Sequence, residues 1–168
     1  MSGPLDSAFG FRFTVDPGMV RGSTDDVPVA GSNQAVFARV RDAGYISKIG
    51  LWVTASSGNI SVGVYRNTGS GRSALPGTRV GTSGAVACPS TGYQEVALTS
   101  ACQVFAGDWL AISADNVTAK FRGLLGAQAD NDLGKGRQCR MSTAHPLPST
   151  PSSLVATIGW TIVLVGVR

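Results

Sequence analysis

The sequence predicts an all-β fold, a two-sheet, jelly-roll-like β-sandwich of about nine strands with long loops. Three observations predict it. Short runs of β-branched and aromatic residues alternate with clusters of Gly, Pro, Ser, Asn and Asp, and no long stretch has apolar residues at the 3.6-residue spacing of a helix. The 168 residues are 43% apolar and 14% charged, which is enough for one buried core and too apolar for disorder.

The strand pattern recurs along the whole chain. It covers residues 9–15, 35–41, 46–55, 60–66, 85–87, 94–99, 108–114, 119–124 and 157–167. We expect one domain over residues 1–168, with the N-terminal segment 1–34 and the loop 127–153 as arms that contact neighbouring molecules. The loop 68–84 is too long for a tight turn, so we expect it to cross between sheets or to fold on a neighbour.

The most regular unit is a predicted β-hairpin from Ile46 to Arg66, with Ser-Ser-Gly-Asn as its turn. Alternation predicts a core-facing set on its two strands. This set is Ile49, Leu51, Val53, Ala55, Ile60, Val62 and Val64. A second strand-turn-strand unit is predicted over 92–116, with its turn at Ala106-Gly107-Asp108.

The opposite face of the predicted hairpin carries two aromatic side chains among small and polar ones. Trp52 and Tyr65, with Thr54 and Lys48, form a candidate platform for a protein partner or a glycan, because Trp and Tyr combine apolar area with a polar tip. The alternative is that a loop or a second layer covers these rings. Trp109 and Trp160 lie in more uniformly apolar segments, which predicts that they belong to the core.

Few residues are suited to catalysis, since the chain has one histidine, His145, and one glutamate. We therefore predict a protein that is not an enzyme and that has no cofactor and no metal site. His145 stands in a Pro-rich loop, where a solvated or locally bonded imidazole is expected. The aspartates, Asp108 and Asp115 among them, fall at strand ends and turns, where they satisfy backbone donors. The oxygen-rich run 129–136 matches no calcium-loop spacing and favours a solvated turn.

Charge and cysteine content narrow the partners. The net charge of +4 comes from scattered arginines, so we predict no nucleic-acid binding. The three cysteines, Cys88, Cys102 and Cys139, have no CxxC spacing, which favours buried thiols and leaves a Cys88–Cys102 pair open.

The apolar stretch 154–167 is too short to span a membrane as a helix and predicts a buried strand. The N-terminus has no secretory signal pattern, so we expect synthesis in a cytoplasm.

The segment from Ile46 to Asn116 resembles β-sandwich surface modules of tailed-phage virions, such as head decoration and minor tail proteins. The resemblance is carried by SGNISVGVY, LPGTRV and GDWLAISADN. It implies a structural virion protein that binds major capsid or tail subunits. We expect a symmetric homo-oligomer, such as a trimer. The alternative function is a carbohydrate-binding module that attaches to host glycans through Trp52 and Tyr65.

Overall fold

The structure is a computed structural model that describes residues 12–13, 26–28, 34–40, 42–70, 73–125, 139–143, 145–156 and 160–168. All regular structure in these residues is β, which confirms the predicted class. The strands are β1 (Arg12–Phe13), β2 (Asp26–Pro28), β3 (Gln34–Arg39), β4 (Gly44–Ala55), β5 (Asn59–Thr68), β6 (Leu75–Thr82), β7 (Val86–Ala87), β8 (Gly92–Val104), β9 (Trp109–Ala114), β10 (Lys120–Leu125), β11 (Cys139–Thr143), β12 (Val155–Ala156), β13 (Trp160–Ile162) and β14 (Leu164–Val167).

The strands form two antiparallel sheets. In the first sheet the order is β1-β14-β4-β10-β13, with β2 also paired to β10 and β8 paired to the other edge of β4. In the second sheet the order is β12-β11-β3-β9-β5-β6, with β7 paired to β5. Strand β9 lies between β3 and β5, and all six of its residues are buried.

One hydrophobic core fills the space between the sheets. From β4 it takes Ile49, Leu51 and Val53, and from β5 it takes Ile60, Val62 and Val64, as the alternation predicts. Both sheets thus contribute every second residue of their strands, which is how a sandwich buries its inner faces.

The predicted hairpin pairing of these two strands is wrong. Strand β4 pairs with β8, β10 and β14, whereas β5 pairs with β6, β7 and β9, so the link at residues 56–58 crosses from one sheet to the other. Gly58 turns the chain there with φ +58°. The physical reason is that alternation fixes which face of a strand is apolar but not which strand supplies its hydrogen bonds. The turn within the unit 92–116 also crosses between the sheets, since β8 and β9 lie in different sheets.

Strands also occur where loops were predicted. Strand β6 lies within 68–84 as the edge strand of the second sheet, and its pairing with β5 has register shifts. Its Pro and Gly residues are typical of loops, which is why the sequence predicted one, but an edge strand tolerates both residue types. The proposed arms are partly built into the fold, because β1 and β2 lie within 1–34 and β11 lies within 127–153. The other residues of 1–34 and 126–138 lie outside the described residues, apart from Gln34.

Candidate functional site

The outer face of the first sheet carries a cluster of aromatic and charged side chains. On β4, Lys48, Gly50 and Trp52 alternate with the core residues, and β8 places Glu95 opposite Gly50 and Tyr93 opposite Trp52. Side chains directly opposite each other on neighbouring strands lie close enough to contact. These five residues are called the aromatic platform below.

The two aromatic rings of the platform contact each other. The ring centroids of Trp52 and Tyr93 are 4.9 Å apart and the ring planes are tilted by 55°. The Tyr93 ring also lies over Gly50, where a Cβ atom would stand 2.4 Å from the Tyr93 hydroxyl oxygen. Glycine at position 50 therefore leaves the space that the ring occupies, while 39% of Tyr93 stays exposed.

A charged pair holds the polar side of the platform. Lys48 Nζ donates to Glu95 Oε2 at 2.9 Å, and the Tyr93 hydroxyl donates to Glu95 Oε1 at 3.3 Å. Burial, followed by the nearby charge of Glu95, raises the pKa of Tyr93 to about 12. The phenol is thus protonated at neutral pH and available as a donor.

Of the four residues predicted for the site, the structure brings Lys48, Trp52 and Thr54 to one face of β4. The Thr54 hydroxyl is buried and has no hydrogen-bond partner in the part of the chain that the structure describes. The indole N–H of Trp52 also has no hydrogen-bond partner among the described residues, but it is not buried. It can donate to an outside acceptor.

Tyr65 is the correction to the predicted platform. It is fully buried on the far side of the second sheet, in a cluster with Phe37, Trp109 and Leu147. Its ring meets Phe37 edge-on at 5.1 Å, and its hydroxyl donates to the carbonyl of Pro148 at 2.6 Å. Trp52 and Tyr65 lie on the outer faces of opposite sheets because β4 and β5 do not pair.

The segment that covers Tyr65 is 145–154, called the covering segment below. Arg79 fastens it from β6, with its guanidinium donating to the Leu147 carbonyl and its backbone N–H donating to the Ser149 carbonyl at 2.8 Å. His145 Nδ1 lies 3.0 Å from the Oγ of buried Ser113. His145 is therefore hydrogen-bonded rather than solvated. The covering segment is the covering layer that the alternative to an exposed Tyr65 predicted.

The prediction missed the two platform residues of β8, Glu95 and Tyr93. Tyr93 continues the outward alternation of Glu95 along that strand, so extending the predicted strand by one residue at its start would have included it. Its place beside Trp52 depends on the pairing of β4 with β8, whose centres are more than 40 residues apart in the chain. Alternation within one strand contains no information about such a partner.

The tryptophan and aspartate side chains predicted to have structural roles are hydrogen-bonded within the fold. Trp109 is buried, as expected, and its indole N–H donates to Asn67 Oδ1 at 3.1 Å. Asp108 accepts the backbone N–H of Phe105 at 2.9 Å and of Asn67 at 3.0 Å, and Asp115 accepts that of Asn59 at 2.9 Å. These contacts confirm that both aspartates satisfy backbone donors at turns and strand ends.

Cys88 and Cys102 are free thiols, and burial raises the pKa of Cys102. The side chains of Cys139 and Trp160 and the run 129–136 lie outside the described residues. Within the described ranges, no three His, Cys, Asp or Glu side chains are grouped closely enough to hold a metal ion. The same residues include no helix that is long and apolar enough to cross a membrane.

Comparison with known proteins gave no relative: no family model matches the chain, and no curated protein matches it significantly.

Proposed function

We propose that this protein is a non-catalytic structural component of a tailed-phage virion, a head decoration or minor tail protein that binds neighbouring capsid or tail subunits. The observation that carries the proposal is the arrangement of the three segments behind the resemblance. They contribute to β5, β6 and β9, which are adjacent in the order β9-β5-β6 of the second sheet. Segments scattered over 60 residues thus form one continuous structural unit, which favours a shared module over chance similarity.

A second observation supports contact with other subunits. Three large apolar side chains are exposed at the end of the sandwich where β4 begins and β5 and β8 end: Tyr45 at 55%, Phe105 at 47% and Leu75 at 38%. Tyr45 is opposite Gln103 near the end of β8, and Leu75 is opposite Thr68 at the end of β5. We call these three residues the apolar rim. Large exposed apolar patches are typical of interaction sites, and the rim supplies apolar side chains for such a site at this end of the sandwich.

Within the rim, Phe105 is held by contacts with its neighbours. The Arg66 guanidinium lies over the Phe105 ring, 4.7 Å from its centroid, and bonds to buried Asp108 at 2.5 Å. Asp108 in turn accepts the backbone N–H of Phe105. A side chain held in position before binding loses less conformational freedom on contact, so the rim is suited to anchor a neighbouring subunit or a second copy of the chain.

The test is association with particles. We expect the protein to be present in gradient-purified virions of the phage that carries its gene, at a fixed copy number. Recombinant protein should cosediment with particles that lack it and saturate at that number. The double variant Tyr45→Ser/Phe105→Ser should fold and fail to cosediment, whereas Val117→Ser, which changes another exposed apolar residue, should bind as before. Light scattering of the free protein measures the expected homo-oligomer.

Absence of the protein from purified virions would overturn the virion proposal. If the protein is present but the double variant cosediments normally, the rim is not the contact and the assignment of that surface is wrong.

A further inference from the structure

The aromatic platform combines two kinds of surface that small-molecule sites also combine. Trp52 and Tyr93 offer partly exposed ring faces at a fixed 55° tilt. Lys48 and Glu95 stand beside them as an ion pair that is partly exposed to water. A ligand on this platform would meet an apolar surface and, next to it, groups that fix its orientation by hydrogen bonds.

The ion pair has unused hydrogen-bonding capacity. A carboxylate has about four acceptor sites, of which Glu95 uses one for Lys48 and one for Tyr93 among the described residues. An ammonium group has three donors, and Lys48 directs one of them to Glu95. Donors and acceptors thus remain side by side at fixed positions. Hydroxyl groups both donate and accept, so a polyhydroxylated ligand matches this pair better than an anion or a cation does.

The size of the platform argues against a protein as its occupant. A stable protein interface buries about 800 Å² on each partner. Tyr93 exposes 39% of a side chain whose full area is about 150–250 Å². The next outward residue along β8 after Glu95 is the small Ala97, which adds little apolar area. One ring of a small ligand would cover the apolar part of the platform.

We propose that the aromatic platform binds a pyranose unit of a β-linked glycan. The C–H face of the sugar stacks on Trp52, and its hydroxyl groups bond to Lys48, Glu95 and the Trp52 indole N–H. All-equatorial sugars of the glucose and N-acetylglucosamine type are favoured, because their axial C–H bonds leave an uninterrupted apolar face. The inference rests on the proposed function for its setting, since a virion subunit with such a site would attach to glycans of the host surface.

The test follows the indole N–H signals of the ¹⁵N-labelled full chain during titration with cellotetraose and with N-acetylated chitotetraose. The chain has three tryptophans, and the Trp52 signal is the one missing from Trp52→Phe. We expect at least one oligosaccharide to shift that signal saturably. The Trp109 signal should stay in place, because its N–H is bonded to Asn67 inside the second sheet.

Variants separate stacking from folding. The variants Trp52→Ala and Trp52→Phe both lack the Trp52 indole signal, so their affinity is measured by calorimetric titration with the same oligosaccharides. Trp52→Ala should weaken binding by about tenfold or more, and Trp52→Phe should restore part of it, because a ring face returns. Val117→Ser is the control, an exposed apolar residue in the link between β9 and β10 that belongs to neither the platform nor the apolar rim. It should bind glycan as the parent does. An unchanged Trp109 signal in each variant confirms the fold.

The inference is overturned if neither oligosaccharide shifts the Trp52 signal, or if Trp52→Ala binds as tightly as the parent. Cosedimentation with particles tells this failure from a failure of the proposed function. Loss of glycan binding with intact cosedimentation refutes the glycan site alone, whereas glycan binding by a protein absent from virions refutes the virion role alone.

Discussion

Gly50 contributes to the platform by having no side chain. A glycine inside a strand weakens it unless something approaches the backbone closely, and here the Tyr93 ring fills the space. We therefore predict that Gly50→Ala displaces the ring and destabilises the fold by about 1 kcal/mol, the low end of the cost of adding a methyl group, because the end of the partly exposed Tyr93 ring can move aside. Urea unfolding measures the change in free energy.

The control for this prediction is the same substitution without the ring. In a Tyr93→Ala background, Gly50→Ala meets no clash, and it should cost much less or be neutral. Equal costs in both backgrounds would mean that Tyr93 is not the obstacle. Such a double-mutant cycle isolates the contact between the two positions.

Tyr93 also gives the platform a dependence on pH. Its pKa of about 12 in the folded state lies above the value of about 10 in an unfolded chain. A raised pKa means that the folded state holds this proton more tightly. The associated stability is complete below pH 10 and is lost as the pH rises from 10 to 12. Titration of ¹³Cζ-labelled tyrosine by NMR should give a midpoint near 12 for Tyr93.

The variant Glu95→Gln tests the cause of the shift. Burial is the larger cause and the carboxylate the smaller, so removing the charge should lower the midpoint of Tyr93 only part of the way toward 10. A midpoint that does not move would assign the whole shift to burial. The variant Asp42→Asn, at an exposed aspartate outside the platform, should leave the midpoint unchanged and serves as the control.

The covering segment contains no strand, so its position depends on the backbone hydrogen bond from Arg79 and on side-chain contacts. Tyr65 supplies two of them, a hydrogen bond to Pro148 and ring packing beside Leu147. Tyr65→Phe keeps the packing and removes the bond, so we predict a loss of about 1 kcal/mol. Tyr65→Ala also leaves a cavity and should cost about 3–5 kcal/mol. Chemical denaturation measures both values.

Amide hydrogen exchange locates the effect of Tyr65→Phe. The variant should speed exchange at the N–H of Arg79, which bonds to Ser149, more than in the centre of β9. Tyr45→Phe removes an exposed hydroxyl bond to Ala101 and is the matched control, expected to change little. Faster exchange throughout the fold would show that Tyr65 stabilises the whole sandwich rather than the covering segment.

At the scale of elements, the sequence predicted which face of each strand is buried better than it predicted which strands pair. Alternation placed Ile49, Leu51 and Val62 in the core correctly, because burial of one face imposes a period of two along each strand. It assigned Tyr65 and Trp52 to one surface incorrectly, because the link after β4 looks the same whether it closes a hairpin or crosses between sheets. Partner choice depends on contacts distant in sequence, such as β4 with β8, and these leave no local pattern.

The two sheets of the molecule share the core that lies between them. Leu51 and Val53 of the first sheet pack in the same cluster as Leu110 and Ile112 of the second. Neither sheet can lose its inner face without exposing the other's, so their unfolding should be coupled. The single domain predicted over residues 1–168 should therefore unfold in one cooperative transition, and Trp52 and Trp109 supply a probe in each sheet.

We predict that the indole N–H signals of Trp52, on the first sheet, and Trp109, on the second, disappear at the same urea concentration. Ile112→Ala should lower both midpoints together, since a cavity in the shared core costs about 2–5 kcal/mol to the whole molecule. Val117→Ser, in the exposed link between β9 and β10, should leave both midpoints nearly unchanged. Two separate transitions would contradict the prediction, and they would mean that each sheet is stable without the inner face of the other.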